Sequence, residues 1–338
     1  MAGRIAFLGT GANGAGIAAD LTRAGLDVTG IEQWPAHVEA IRANGLRVNT
    51  VGGSTVTPMR MLHLCEVAEV RNTFDVLFIG LNAQDSRWGC ELMKPVLADD
   101  ALVVGLQNGM SIDDVADVVG PHRTLGAVIE VASNMNEPGV VNRDTDQTVS
   151  WFGVGGLDPQ MQERAHEIAD MLKHAGNVDV VDDIRSAKWT KLVANAAELV
   201  PSAILNMPLN ASTEVPGMRE FMSKCGREAV AVLLASGSKI VPIFGETEAD
   251  LLDPDEYADH LFDRVLTDYS TPTLRTSVLQ DWDKGRRSEA TSINGLVVTE
   301  SARLGLSAPA NQRVLEIAQQ IERGDLAAKP ENVDLLVR

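Results

Sequence analysis

The segment that most constrains this chain is Gly9-Thr10-Gly11-Ala12-Asn13-Gly14, three glycines in G-x-G-x-x-G spacing directly after the apolar run at residues 4–8 (RIAFL). The spacing has a physical reading. The first glycine permits a tight turn, the second lets the backbone approach a pyrophosphate, and the third lets a helix pack closely on the preceding strand. Three glycines alone define little more than a flexible turn, so the flanking pattern carries the information. Residues 4–8 read as a buried strand and residues 15–24 as a helix, which puts the glycines where a helix N-terminus presents backbone N–H groups to an anion. Gly9, Thr10, Gly11, Ala12, Asn13 and Gly14 are therefore the expected cofactor-binding residues.

The same alternation continues downstream. After Gly25, residues 28–31 form a second apolar run that stops at Glu32, and residues 35–44 read as a helix closed by Gly45. Further buried strands are expected at 76–79, 101–105 and 124–131, with helical stretches between them, which predicts a doubly wound parallel sheet of the Rossmann type. From 140 to 154 the pattern shifts to shorter alternating strands, followed by a helix at 160–175 and a strand at 178–181. Beyond that point nearly everything is helix-periodic, at 183–205, 217–236, 255–267, 277–304 and 310–323. The expected fold is α/β: an N-terminal Rossmann domain over residues 1–182, then an all-helical substrate and dimerisation domain over 183–338.

Glu32 closes the second strand at the distance where an acidic side chain accepts from adenosine ribose hydroxyls. A 2′-phosphate would meet carboxylate repulsion there, and Gln33 and Trp34 follow instead of a basic residue, so NAD is favoured over NADP; the plainer reading is a solvated strand end. The 338 residues allow two cores, and 45% hydrophobic with 22% charged residues argues for a chain folded throughout. Lys and Arg number 29 against 47 Asp and Glu, a net charge of −18 that disfavours nucleic acid but leaves a small anionic substrate open, because a few local donors dominate a cleft. The three cysteines and six histidines show neither CxxC nor metal-ligand spacing, so reduced thiols, no metal and a cytoplasmic location are expected. No apolar run reaches membrane-spanning length, and residue 1 runs into a strand without a leader pattern.

Three further segments set polar groups among apolar neighbours: Gln107-Asn108-Gly109 after a strand, residues 189–195 on a helix, and residues 277–295. Taken in order, GTGANG, GIEQWPAHVEAIRANGLRV, QNG, EPGVV, WTKLVAN and SVLQDWDKGRRSEATSING resemble the ketopantoate reductase family along most of the chain. The resemblance implies that Lys191 is the general acid and base at the substrate carbonyl, an assignment that competes with the usual fate of lysine on a helix surface. Lys188, one turn earlier, would assist by like-charge repulsion. Asn195, four residues after Lys191 and on the same face, would orient lysine or substrate. Asn108 would lie beside the nicotinamide and the reacting centre, although Asn-Gly is also ordinary turn chemistry. Ser277 would contact the substrate carboxylate, and Glu289 would bind the substrate hydroxyl and help organise the site and its cofactor. Asn294 completes that motif, and Asp281 carries less weight, being equally well an exposed helix charge. Ser277 and Glu289 share a face if the 277–304 helix is continuous, with Gly285 standing in its middle.

Two departures from the family pattern matter. Leu199, with Glu198 beside it, stands where an asparagine is usual eight residues after the lysine, and a more apolar pocket suits a bulkier or less hydroxylated 2-oxo acid. Asn82 stands where NADP-using members carry a basic residue, again favouring NAD. Residues 240–269 are additional to compact members, as a solvated cap or a dimer contact. The expected function is hydride transfer between a nicotinamide cofactor and a 2-oxo acid/2-hydroxy acid pair, ketopantoate being one candidate, by a homodimer. A 3-hydroxy acid or imine dehydrogenase on the same fold, and a non-catalytic NAD-binding sensor, are the alternatives.

Overall fold

The structure is a computed structural model describing residues 3–71, 73–272 and 274–337. The chain divides into two compact units, Met1–Gln107 with Ser111–Ile184, and Asn108–Met110 with Arg185–Arg338.

Period-two apolar patterning and short glycine-bearing turns build the first unit. Its strands are β1 (Ile5–Leu8), β2 (Val28–Glu32), β3 (Leu46–Thr50), β4 (Gly53–Thr57), β5 (Arg60–His63), β6 (Phe74–Ile79), β7 (Leu97–Gly105), β8 (Thr124–Glu130), β9 (Ser133–Glu137), β10 (Val140–Arg143), β11 (Trp151–Gly156) and β12 (Asn177–Val180). Eight of them form one sheet in the order β12-β11-β8-β7-β6-β1-β2-β5. All neighbours in it are parallel except β8 and β11. The central strands are buried on both faces, as parallel strands covered by helices must be. Alternate residues feed opposite cores: Ile5, Phe7, Val76 and Phe78 lie in one, Ala6, Leu8, Leu77 and Ile79 in the other. The covering helices are α1 (Ala12–Arg23), α2 (Pro35–Asn44), α3 (Ser86–Met93), α4 (Ile112–Val119) and α5 (Pro159–Leu172). Helix α1 begins three residues before its predicted start, so that the glycine turn runs directly into it.

A smaller sheet, β4-β3-β10-β9, was not anticipated as a separate layer. Its anchor is Arg143, a residue only 3% exposed. Arg143 Nη1 donates to Asp20 Oδ2 at 2.5 Å, Nε to the Thr145 carbonyl at 2.8 Å, and Nη2 to Ser150 Oγ and the Ala175 carbonyl at 2.8 Å each. Burial raises the Asp20 carboxyl, while Arg143 opposes that rise.

The second unit is helical: α6 (Ile184–Ile204), α7 (Leu209–Thr213), α8 (Met218–Ala235), α9 (Pro254–Arg264), α10 (Ser277–Asp283), α11 (Asn294–Arg303), α12 (Pro309–Arg323) and α13 (Val333–Leu336). Helix α6 is buried almost all round, so it acts as the axis on which the others pack. The Glu228 carboxylate on α8 accepts from the Ala310 and Asn311 amides and caps α12, while Asn294 Nδ2 donates to the Ala196 carbonyl at 2.9 Å and to Asn311 Oδ1 at 2.8 Å. The added segment forms α9, whose Tyr257, Ala258, Leu261 and Phe262 are buried and which packs on α8. The expected continuous helix over 277–304 is broken. It stops at Asp283, Gly285 takes a φ of +63°, and helix resumes only at Asn294. Glycine terminates a helix there because it enters the left-handed region without a Cβ clash. No helix among the described residues is long and apolar enough to cross a membrane.

Arg143→Leu leaves the Asp20 carboxylate buried with one arginine fewer and should cost about 3 kcal/mol of unfolding free energy. Urea denaturation checks this; a loss below about 1 kcal/mol would show that the guanidinium network is not what holds the smaller sheet.

Candidate functional site

Two local arrangements stand out, one in each unit. In the first, β1 ends at Leu8 and Gly9 turns the chain with φ +86°. A Cβ at Gly9 would lie 2.8 Å from the Gly80 backbone, and one at Gly14 would lie 2.2 Å from the Gly9 carbonyl oxygen. A Cβ at Gly11 would meet nothing within 4 Å, so open space adjoins the backbone there. Gly11 is the N-cap of α1 and no side chain caps that end, so the first amides of the helix have no side-chain acceptor. The Asn13 Oδ1 is buried and makes no hydrogen bond. A tight turn, an open approach and an uncapped helix start are the features by which such a loop receives a phosphate anion, so Gly9, Thr10, Gly11, Ala12, Asn13 and Gly14 fit a dinucleotide.

Glu32, at the end of β2, is fixed from three directions. Its Oε2 accepts from Thr10 Oγ1 at 3.4 Å, and its Oε1 accepts from the Gln33 and Trp34 amides at 2.8 and 3.0 Å. It is buried, so the solvated strand-end reading does not hold. Asn82 is half-buried just after β6.

In the second unit, α6 carries Lys188, Lys191, Asn195 and Glu198 at spacings of three, four and three, which align them on one face. All four are buried, with Lys191 9% exposed. Asn195 Nδ2 donates to Asn108 Oδ1 at 3.2 Å, and Asn108 Nδ2 donates to Glu289 Oε2 at 3.1 Å. This chain joins α6, the 108–110 turn and the loop before α11. Gly109 is needed in that turn: its φ is +67° and a Cβ would lie 2.7 Å from the Ser292 carbonyl oxygen. The loop is held in turn by Glu322 of α12, whose Oε1 accepts from the Ser288 amide at 2.9 Å and from Ser288 Oγ at 2.7 Å.

The electrostatics follow from desolvation. Burial lowers Lys191 from its ordinary value to about 8, against the attraction of Glu198. Burial likewise raises the Glu198 carboxyl, which Lys191 opposes, and Glu198 Oε2 is buried without a hydrogen-bond partner. Lys188 is also lowered to about 8 by burial, with Glu289 pulling the other way. The two lysines are thus each set against a carboxylate, and burial, more than the like-charge repulsion expected of Lys188, is what depresses Lys191.

The group therefore contains buried Lys191, Asn195 and Glu289 and half-buried Asn108 from the sequence reading. It does not contain Ser277, which is exposed at the start of α10, because the helix break removes the shared face with Glu289. Asp281 is half-buried on the same short helix, and Asn294 serves packing between α6, α11 and α12. Two members went unassigned. Glu198 had a legible signal, standing two turns after Lys191. Phe244 had none: it comes from the segment before α9, and its ring centroid lies 4.9 Å from Lys191 Nζ. Phe244 has φ +58°, a conformation that costs a bulky side chain on the order of 1–3 kcal/mol. Among the described residues no group of His, Cys, Asp and Glu is arranged to hold a metal ion.

A Rossmann-type unit with a glycine turn open to an anion, and a helical unit with a buried lysine and an amide–carboxylate chain, are the arrangement of two-part oxidoreductases. The model of ketopantoate reductase PanE/ApbA matches residues 5–155, and that of its C-terminal region matches residues 183–322. The chain belongs to the ketopantoate reductase family. It is 26% identical to a 2-dehydropantoate 2-reductase of Mesorhizobium japonicum, over 95% of this chain and 99% of that one. The crystal structure of a PanE/ApbA family ketopantoate reductase from Ralstonia eutropha JMP134 is 28% identical, covers 95% of this chain and 99% of its own, and superposes with a TM-score of 0.79. A D-mandelate dehydrogenase solved with NADH and anilino(oxo)acetate is 20% identical over 95% and 99% of the two chains and shares the fold, at a TM-score of 0.83.

The depressed lysines link stability to pH with a definite sign. A lysine whose folded value lies below its unfolded one binds fewer protons in the folded state, so its burial penalty is full below about 8 and disappears as pH rises toward 10.5. Between pH 7 and 10, wild type should gain about 2 kcal/mol of unfolding free energy relative to Lys188→Met. Urea titrations of both proteins at the two pH values check this; parallel curves would mean that Lys188 is solvated.

Proposed function

We propose that this protein is an NAD-dependent oxidoreductase that interconverts a 2-oxo acid and its 2-hydroxy acid, with Lys191 as general acid and base. The observation that carries the reading is the burial of Lys191 on one helix face with Asn195, which leads through Asn108 to Glu289. NAD(H), held by residues 9–14 and Glu32, would supply or accept the hydride. The chain's own task is then the proton. In reduction the Lys191 ammonium donates to the oxygen that becomes the hydroxyl, stabilising charge on it as the bond forms. In oxidation the neutral amine accepts that proton. Burial brings the lysine to about 8, where both forms are populated near neutral pH.

Asn195 and Asn108 orient through their mutual hydrogen bond, and Glu289, which accepts from Asn108, is proposed as the group that binds the substrate hydroxyl. Ser277 lies outside the buried group, exposed at the start of α10, and is proposed as a contact for the substrate carboxylate from the rim. For the cofactor, the fixed Glu32 carboxylate and the absence of a basic residue at 33, 34 and 82 favour NAD over NADP. The domain division near residue 182, a homodimer through the helical domain and a cytoplasmic location complete the proposal; C2 dimers are the commonest closed assembly and the cysteine pattern suits a reducing compartment.

Initial rates at the reduced-nicotinamide absorbance band, with NADH and NADPH against a panel of 2-oxo acids, test the reading. Lys191→Ala should lower kcat by roughly 10²- to 10⁴-fold. Because the donor must be protonated, kcat/KM for reduction should fall as pH rises through about 8, while that for oxidation rises over the same interval. Glu32→Gln should narrow the NADH preference roughly tenfold by removing the like-charge contact. Unchanged turnover in Lys191→Ala would remove the lysine from the chemistry.

A further inference from the structure

Phe244 is buried, sits in the left-handed region, and has its ring centroid 4.9 Å from Lys191 Nζ. The chain does not drift into that conformation. Before it, the Lys239 amide donates to Ser186 Oγ at 3.0 Å and the Val241 amide to Thr190 Oγ1 at 3.3 Å, which registers the strap along α6. After it, the buried Glu246 carboxylate gathers Tyr257 Oη at 3.3 Å, His260 Nε2 at 3.1 Å and Arg264 Nη1 at 3.0 Å. Arg264 Nη2 also donates to the Phe244 carbonyl at 2.7 Å. Both ends of the turn are thus tied down, one to the helix that carries the lysine and the other to α9. Such over-determined strain marks a place where side-chain position matters more than backbone ease. The Tyr269 ring, 5.2 Å from that of Phe244 and tilted by 53°, extends the aromatic surface.

We infer that Phe244 is a specificity-determining residue: its ring walls the space for the substituent on the oxo carbon, so that the site takes 2-oxo acids bearing a flat aromatic group in preference to a small alkyl one. The inference rests on the reading of Lys191 as the group that meets the oxo oxygen. An oxygen hydrogen-bonded to that ammonium lies roughly 8 Å or less from the Phe244 centroid. An aromatic substituent on the oxo carbon brings a ring that can pair with Phe244 over the 4.5–7 Å at which rings associate favourably, whereas a methyl group in the same place brings no ring and little area.

The test compares kcat and KM, with NADH, on phenylglyoxylate, 3-methyl-2-oxobutanoate and pyruvate for wild type, Phe244→Tyr, Phe244→Leu and Phe244→Ala. Wild type should prefer phenylglyoxylate to pyruvate in kcat/KM, and Phe244→Ala should cut that ratio roughly tenfold or more, chiefly through KM. Phe244→Leu should give an intermediate ratio, and Phe244→Tyr should keep it within about threefold. Because the leucine variant preserves bulk, it gives the ratio even where alanine destabilises the strap. A ratio that survives both Ala and Leu, or a loss equal on all three acids, overturns the inference and leaves the 2-oxo acid reading intact. If wild type reduces none of the three acids with either cofactor, that reading falls and this one with it.

Discussion

The structure of the helical unit depends on the cost of keeping Lys188, Lys191, Asn195 and Glu198 out of water on one face of α6. Burial draws each lysine from its ordinary value down to about 8, so the charged form of each carries a cost of a few kcal/mol. Against a total stability of roughly 5–15 kcal/mol, two such groups are a large imposition. The rest of α6 offsets it: Leu192, Val193, Ala194, Ala196 and Ala197 are buried, so the helix is held by apolar packing on the sides that carry no charge. The carboxylates make the arrangement tolerable. Glu289 faces Lys188 and Glu198 faces Lys191, so neither of these lysines stands without an opposing carboxylate.

The glycine turn in the first unit reaches its purpose by the opposite means. There the feature is the lack of side chains: Gly9 and Gly14 would clash with backbone if they carried a Cβ, while Gly11 faces open space. Positive potential comes from backbone amides at the start of α1, and it needs no lysine or arginine. A net charge of −18 therefore does not by itself bar an anion from that turn. Glu32, at the end of β2, is held beside the turn by Thr10 and by the Gln33 and Trp34 amides.

These differences decide what was legible in the sequence. Strands such as β1 and β6 and helices such as α6 and α12 announce themselves by periodicity, and the glycine turn by spacing. The smaller sheet did not, although Leu46, Arg47 and Val48 alternate buried, exposed and buried, because β3 and β10 come from segments some ninety residues apart and pair only through the fold. The 277–304 segment misled for a physical reason: its apolar spacing is helical on both sides of Gly285, and a break of phase inside a periodic stretch is invisible to periodicity. Lys191, Asn195, Asn108 and Glu289 came from motif resemblance, and the burial of Lys191 and the hydrogen-bond chain from Asn195 through Asn108 to Glu289 came only from the coordinates.

Phe244 shows why the last layer of a site escapes sequence reasoning altogether. Nothing in Ile243-Phe244-Gly245-Glu246 indicates that the phenylalanine, with glycine next to it, adopts a conformation glycine would take at lower cost. The reason lies some distance along the chain, in Arg264, His260 and Tyr257, which converge on Glu246, and in Ser186 and Thr190, which fix the strap to α6. A glycine at 244 would relieve the backbone and remove the ring from Lys191. That the chain keeps the ring and stores the strain is consistent with selection for what lies against the ammonium, because stability alone would favour the smaller residue.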